Sequence, residues 1–185
     1  MGRVMDDQSA ILELSIFKSL VESGALVGSP EELYQLLDTI MDATNEVFDA
    51  EASSLLLVEE ETNTVYFKIA TGDKSELVEG VHLEMGEGIA GWVAESGAPL
   101  VVNDPEGDPR HAWLLASIID FKTKNILCVP MKDENKVTVG VIEVLNKKSG
   151  PFTPDDRQAL QLLARKLAPV VLQAQASAKK GQQCT

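Results

Sequence analysis

Residues 125–147 read NILCVPMKDENKVTVGVIEVLNK, and this stretch decides the fold class. Two apolar runs, 125–132 and 136–147, flank a polar turn at 133–135. That pattern predicts an antiparallel hairpin. Period-two alternation places Val137, Val139, Val141, Glu143 and Leu145 on one face of the second strand. The other face, with Gly140, Ile142 and Val144, is apolar too. A strand apolar on both faces is expected to be covered on both sides. Glu143 is the exception in that run, and a buried carboxylate must be hydrogen-bonded or neutralised. Two readings follow. Its partner is a structural lysine or backbone amide, or it contacts a ligand in a pocket.

The same alternation extends upstream. Residues 64–70 place Val65, Phe67 and Ile69 on one face and Tyr66 and Lys68 on the other. Residues 54–58 form a compact apolar strand, and 60–63 supply the turn between the two. Residues 80–85 and 99–103 predict further strands. A short helix over 88–96 stops at Gly97, and 104–120 is irregular with one helix near 111–118. Helical periodicity marks both ends of the chain. Residues 6–23 carry Ile11, Leu14, Phe17 and Val21 on one stripe. A second helix starts after Ser29, with Pro30 at its first position and Glu32 three residues past the cap. Its apolar face is Leu33, Leu36, Leu37, Ile40, Met41, Thr44 and Val47. The last helix, 154–176, carries Leu160, Leu163, Leu167 and Val170 or Val171, and Pro169 predicts a kink. Residues 179–185 read as a frayed tail. Strand pairs joined by short turns, with helices at both ends, predict an α+β fold built on an antiparallel sheet.

Composition narrows the function. The chain has 185 residues, the length of one domain, with 16 basic and 29 acidic side chains and a net charge of −13. Residues 1–62 hold 14 of those acids and only two bases, Arg3 and Lys18. So negative a surface repels phosphate backbones and anionic membranes, so neither nucleic acid nor a lipid surface is an expected partner. The two cysteines, Cys128 and Cys184, form no CxxC pair and no disulfide framework. With no leader pattern and no long apolar run, the expected location is the cytoplasm.

Several motifs call for a chemical reading. Gly86-Glu87-Gly88-Ile89-Ala90-Gly91 matches the dinucleotide fingerprint by letter. The alternating strand before it and the short helix after it instead predict a tight turn, with glycines bringing the helix close to the sheet. Asp104, Asp108, Arg110 and His111 cluster, but a single histidine gives no metal-ligand spacing. His82 stands alone on a polar strand face. Cys128 lies in the apolar run 126–129 and reads as core. Trp92 reads as core and Trp113 as a lid. No Ser-His-Asp set, phosphate loop or carboxylate pair supports catalysis.

Residues 30–175 resemble a GAF domain, the sensory module of phosphodiesterases, adenylyl cyclases, histidine kinases and phytochromes. The likeness rests on GIAGWVAESG at 88–97, PLVVND at 99–104, FKTKNILCVPM at 121–131 and GVIEVLNK at 140–147, and is strongest to phosphodiesterase GAF domains. It implies a GAF/PAS-like six-stranded antiparallel sheet, with terminal helices on one face and pocket-forming loops and short helices on the other. It divides the chain into an N-terminal helix and linker at 1–29, expected to dimerise, a GAF domain at 30–176 and a flexible tail at 177–185. The implied ligand contacts are Ser54, Ile89, Ala90, Ala112, Trp113, Ala116, Ile119, Thr123 and Glu143. The cyclic-nucleotide-binding subset carries an Asn-Lys, Phe, Asp-Glu pattern. Here Asn146-Lys147, Phe152 and Asp156 fit it, and Arg157 replaces the Glu. Ala112, Ala116 and Ile119 stand where polar or aromatic contacts are expected, and Ala70-Thr71 replaces a Phe-Asp pair. The expectation is a non-enzymatic sensor that binds a small molecule of unknown identity and signals as a homodimer to an output domain on another chain. A cyclic-nucleotide-binding regulatory domain and a ligand-free dimerisation scaffold are the alternatives. No cofactor or metal is assigned.

Overall fold

A computed structural model describes residues 29–110 and 120–182. The expected helices at 6–23 and 111–118 lie outside these residues. The first described helix, α1, spans Pro30–Phe48. Its start is the one the sequence announces: the Ser29 hydroxyl accepts a hydrogen bond from the Glu32 amide at 3.2 Å, with Pro30 at the first turn. Asp49 ends it in the left-handed conformation. The elements that follow are β1 (Ala52–Glu59), β2 (Thr64–Ala70), α2 (Ser75–Val78), β3 (His82–Glu84), α3 (Gly88–Ser96) and β4 (Leu100–Val102). A short 3₁₀ turn, Pro105–Gly107, leads away from β4. The hairpin β5 (Ile126–Lys132) and β6 (Thr138–Leu145) and the long helix α4 (Pro154–Gln182) complete the chain. Helix α4 continues through Pro169 and extends six residues past the expected end. The four-residue helix α2 has no sequence expectation; it is too short for a periodic signal.

The six strands form one antiparallel sheet in the order β3-β2-β1-β6-β5-β4. Helices α1 and α4 cover one face. There Leu37, Ile40 and Met41 of α1 and Leu160, Leu163, Leu167 and Val171 of α4 pack on Leu55, Leu57, Leu127, Val129, Ile142 and Val144. Helices α2 and α3 cover the other face through Val78, Ile89, Ala90, Val93 and Ala94, against Leu56, Phe67, Cys128 and Val141. Strand β6 is buried on both sides from Gly140 to Val144. This agrees with its reading as a doubly covered strand.

Two face assignments change. Val65, Phe67 and Ile69 do not share a face. The register between β1 and β2 slips at Leu55/Leu56, where Leu55 pairs with Ile69 but Leu56 pairs with Phe67. Lys68 is the extra residue of a bulge, which turns Ile69 to the α1/α4 face while Val65 and Phe67 stay on the other. Val139 is displaced likewise. Met131 pairs with Gly140 and Lys132 with Thr138, so Val139 is unpaired and packs on the helical side, away from Glu143. Val137 precedes the strand and is 54 % exposed.

Candidate functional site: a cavity over the centre of the sheet

The bulge at Lys68 sets the site. Beyond it, Ala70 pairs with Ser54, Ser54 with Glu143, and Glu143 with Cys128. These four residues form one transverse row on the α2/α3 face. A cavity of about 100 Å³ opens over this row. That is room for several waters or one compact molecule. Its walls are mostly apolar: Phe67, Val78, Leu83, Ile89, Phe121, Ile126 and Leu145. Ser54, Thr71, Lys74, Ser75, Thr123 and Glu143 supply the polar groups.

Glu143 dominates the chemistry. It is 8 % exposed. Among the described residues its carboxylate has no hydrogen-bond donor and no cation, so neither a structural lysine nor a backbone amide holds it. Burial penalises the charged form and pushes its pKa up to about 7. Opposite it, Cys128 is fully buried, and burial first, then the nearby Glu143, hold its thiol protonated well above the usual range.

Around this carboxylate the backbone is fixed. The first turn of α3 brings Ile89 and Ala90 to the cavity. A Cβ at Gly91 would lie 2.6 Å from the Glu84 carbonyl oxygen, so only glycine lets α3 seat this close to β3. Gly86, at φ +86°, makes the turn before it. The glycine motif is thus a packing device, as its sequence context predicts. The strap carrying Phe121 and Thr123 is held by Asn146. This buried side chain accepts from the Lys124 amide at 2.6 Å and donates to the Lys122 carbonyl at 2.9 Å and to Glu51 at 2.7 Å. Lys124 and Asn146 together hold the Glu51 carboxyl below its ordinary range. Thr71 is anchored across the sheet. Its hydroxyl receives Asn45 Nδ2 at 2.6 Å and lies 3.1 Å from the Ser53 hydroxyl, and Ser53 donates to the Met41 carbonyl of α1.

Of the nine expected contacts, Ser54, Ile89, Ala90, Thr123 and Glu143 meet at this cavity. Ala112, Trp113, Ala116 and Ile119 lie outside the described residues. Sequence reasoning missed Lys74, Phe121 and Val78 as lining residues; Lys74 and Val78 belong to the unpredicted α2 region. In the acidic loop, Asp104, Asp108 and Arg110 are described and His111 lies outside the described residues. Asp108 binds Arg110 through two contacts of 2.9 and 2.6 Å, and the guanidinium sits 4.8 Å from the Trp92 ring centre. No metal-binding group of side chains occurs among the described residues, and none of their helices is long and apolar enough to cross a membrane. His82 stacks on Tyr66 at the sheet edge, 5.3 Å between ring centres.

Residues 32–171 match the GAF domain profile. The chain belongs to the GAF domain family. Among curated relatives it is 31 % identical over 134 residues to a probable 3',5'-cyclic phosphodiesterase, pde-5, of Caenorhabditis elegans, covering 68 % of this chain and 18 % of that protein. The chain spans less than a fifth of the length of the curated relatives it first matches. Among solved structures, the GAF domain of a phosphoenolpyruvate-protein phosphotransferase from Coxiella burnetii superposes with a TM-score of 0.77 at 20 % identity, covering 92 % of this chain and 98 % of that one. A free methionine-R-sulfoxide reductase from Neisseria meningitidis, solved with its substrate, superposes at 0.73 and 18 % identity, covering 96 % and 97 %. The fold is therefore shared by a domain of a phosphotransferase and by a methionine sulfoxide reductase.

Proposed function

We propose that this chain is a non-enzymatic sensory domain that binds a small molecule over Glu143 and passes occupancy to its terminal helices. One observation carries the reading: a nine-tenths-buried carboxylate faces a cavity and has no partner among the described residues. Leaving such a group unsatisfied is costly, and a bound molecule removes the cost. The cavity lies on one face of the sheet and α1 and α4 on the other, so the central strands connect ligand and output. Ser54, Ile89, Ala90, Thr123 and Glu143 are the proposed contacts, together with Ala112, Trp113, Ala116 and Ile119. We read the signalling unit as a cytoplasmic homodimer joined through the helix at 6–23 and the end of α4, with an output domain elsewhere. Reductase chemistry is disfavoured because it needs a reactive thiol, and burial keeps Cys128 protonated.

A second reading, a cyclic-nucleotide regulatory domain, draws on the likeness to a cyclic phosphodiesterase and on the ion pair from Lys147 Nζ to Asp156 at 2.7 Å. Against it, Thr71 spends its hydroxyl on Ser53 and Asn45, and Ala70 offers no ring to stack on a base. Native mass spectrometry of freshly purified protein tests the main reading. A stoichiometric small molecule lost on Glu143→Gln is the expected result. Bare protein from every expression host would favour a ligand-free dimerisation scaffold.

A further inference from the structure

We propose that the cavity selects a compact bipolar ligand, with a protonated nitrogen for Glu143 and Ser54 and an anionic group for Lys74. The inference rests on reading the cavity as a ligand site and adds the chemistry of its occupant.

Glu143 and Ser54 face each other in register on β6 and β1. Residues so paired have Cβ atoms about 5 Å apart. The Ser54 side chain, like that of Glu143, has no hydrogen-bond partner among the described residues. A carboxylate only accepts, and a hydroxyl turns to accept or donate. Together they suit a group carrying two or more N–H donors. A cation there also neutralises the buried Glu143 carboxylate, which a neutral donor does not do.

A side chain of opposite charge, Lys74, lines the same cavity. Ala70 lies two strands from Glu143 in the transverse row, about 10 Å away at ordinary strand spacing. Lys74 follows Ala70 by four residues and lines the cavity wall, half-buried. Among the described residues it forms no ion pair. Among the described residues, the other groups around Glu143 and its cavity carry no charge: Cys128 on β5 keeps its proton, and Thr71, Thr123, Ile89 and Phe121 are neutral. Among the described residues, the lining thus holds one carboxylate and one lysine, neither of them ion-paired. A ligand matching both gains two ion pairs, and one matching only Glu143 or only Lys74 gains one.

Calorimetry on the intact chain with four rigid probes tests this: 4-amidinobenzoate, benzamidine, benzoate and benzamide. At pH 8, 4-amidinobenzoate is expected to bind at least about tenfold more tightly than benzamidine or benzoate, with benzamide weakest. Between pH 8 and pH 6 the advantage of benzamidine over benzamide falls by roughly tenfold, because Glu143 takes up a proton near pH 7. Glu143→Gln removes the amidine preference, and Lys74→Met removes only the carboxylate preference. Should Glu143→Gln fail to fold, the pH comparison on the unaltered chain tests the same point. Equal binding of benzamide and benzamidine, benzoate as the tightest probe, or tighter binding of cyclic GMP than of 4-amidinobenzoate overturns the proposal. Binding of no probe also overturns it. If a small molecule still co-purifies in that case, the cavity remains a ligand site and only the bipolar chemistry falls.

Discussion

Glu143 on β6 stands directly across from Ser54 on β1, in a row of the sheet that crosses the floor of the cavity. The pairing puts an uncompensated carboxylate at the centre of the domain, where its protonation is linked to folding.

The Glu143 carboxyl is held at about 7 in the folded protein, against an ordinary 4.5. Between these values the folded chain keeps a proton that the unfolded chain has lost. Its contribution to stability is fully present below pH 4.5 and is lost as pH rises through 7. In the ligand-free protein Glu143→Gln is therefore expected to raise stability at pH 8 by about 2–3 kcal/mol, with the difference vanishing near pH 4. Urea denaturation across that range checks it. A variant less stable than the unaltered chain at pH 8 would show that a structural partner holds the carboxylate.

Asp156 serves two structures at once. Its Oδ2 accepts from Lys147 Nζ at 2.7 Å and from the Thr153 amide at 2.7 Å, and Thr153 Oγ1 accepts from the Asp156 amide at 3.2 Å. This is a capping box that starts α4, joined to a mostly buried ion pair. Asp156→Ala should cost about 2–4 kcal/mol by loss of the cap and isolation of Lys147. Lys147→Met keeps the cap and should cost less. Chemical denaturation of the two variants ranks them.

Gly91→Ala should lower stability by about 1–3 kcal/mol, because the added methyl meets the Glu84 carbonyl and the Gly86 backbone. Backbone cannot yield as a flexible side chain would, so α3 must lift from β3. Thermal melting checks the loss. A neutral substitution would mean that α3 tolerates a larger separation from the sheet.

Cyclic GMP and cyclic AMP are expected to bind weakly or not at all. The Ala70-Thr71 pair removes a stacking ring and a free acceptor, at roughly 1–3 kcal/mol for each missing polar partner. Sub-micromolar affinity in calorimetry would reverse this and promote the cyclic-nucleotide reading.

A chain beginning at Pro30 is expected to shift toward monomer in light scattering, because it lacks the apolar stripe of Ile11, Leu14, Phe17 and Val21. An unchanged dimer would place the interface on α4 or the sheet.

The sequence by itself determined what depends on local pattern. Ser29, Pro30 and Glu32 fixed the start of α1 because capping is settled within one turn. Gly97 fixed the end of α3 because its left-handed conformation favours glycine. The apolar two-sided run of β6 placed it inside the sheet, and the GAF-like motifs named the architecture. Tertiary structure alone decided which face each strand residue sees. A bulge is one unpaired residue set by the neighbouring strand, so alternation could not show that Ile69 leaves the face of Phe67, or Val139 that of Glu143. It alone brought Lys74 to the cavity, from beside a helix too short to announce itself. And it alone shows that, among the described residues, Glu143 has neither a structural lysine nor a backbone amide as partner. Whether a buried carboxylate has a partner depends on residues distant in the chain, and among the described residues none reaches it.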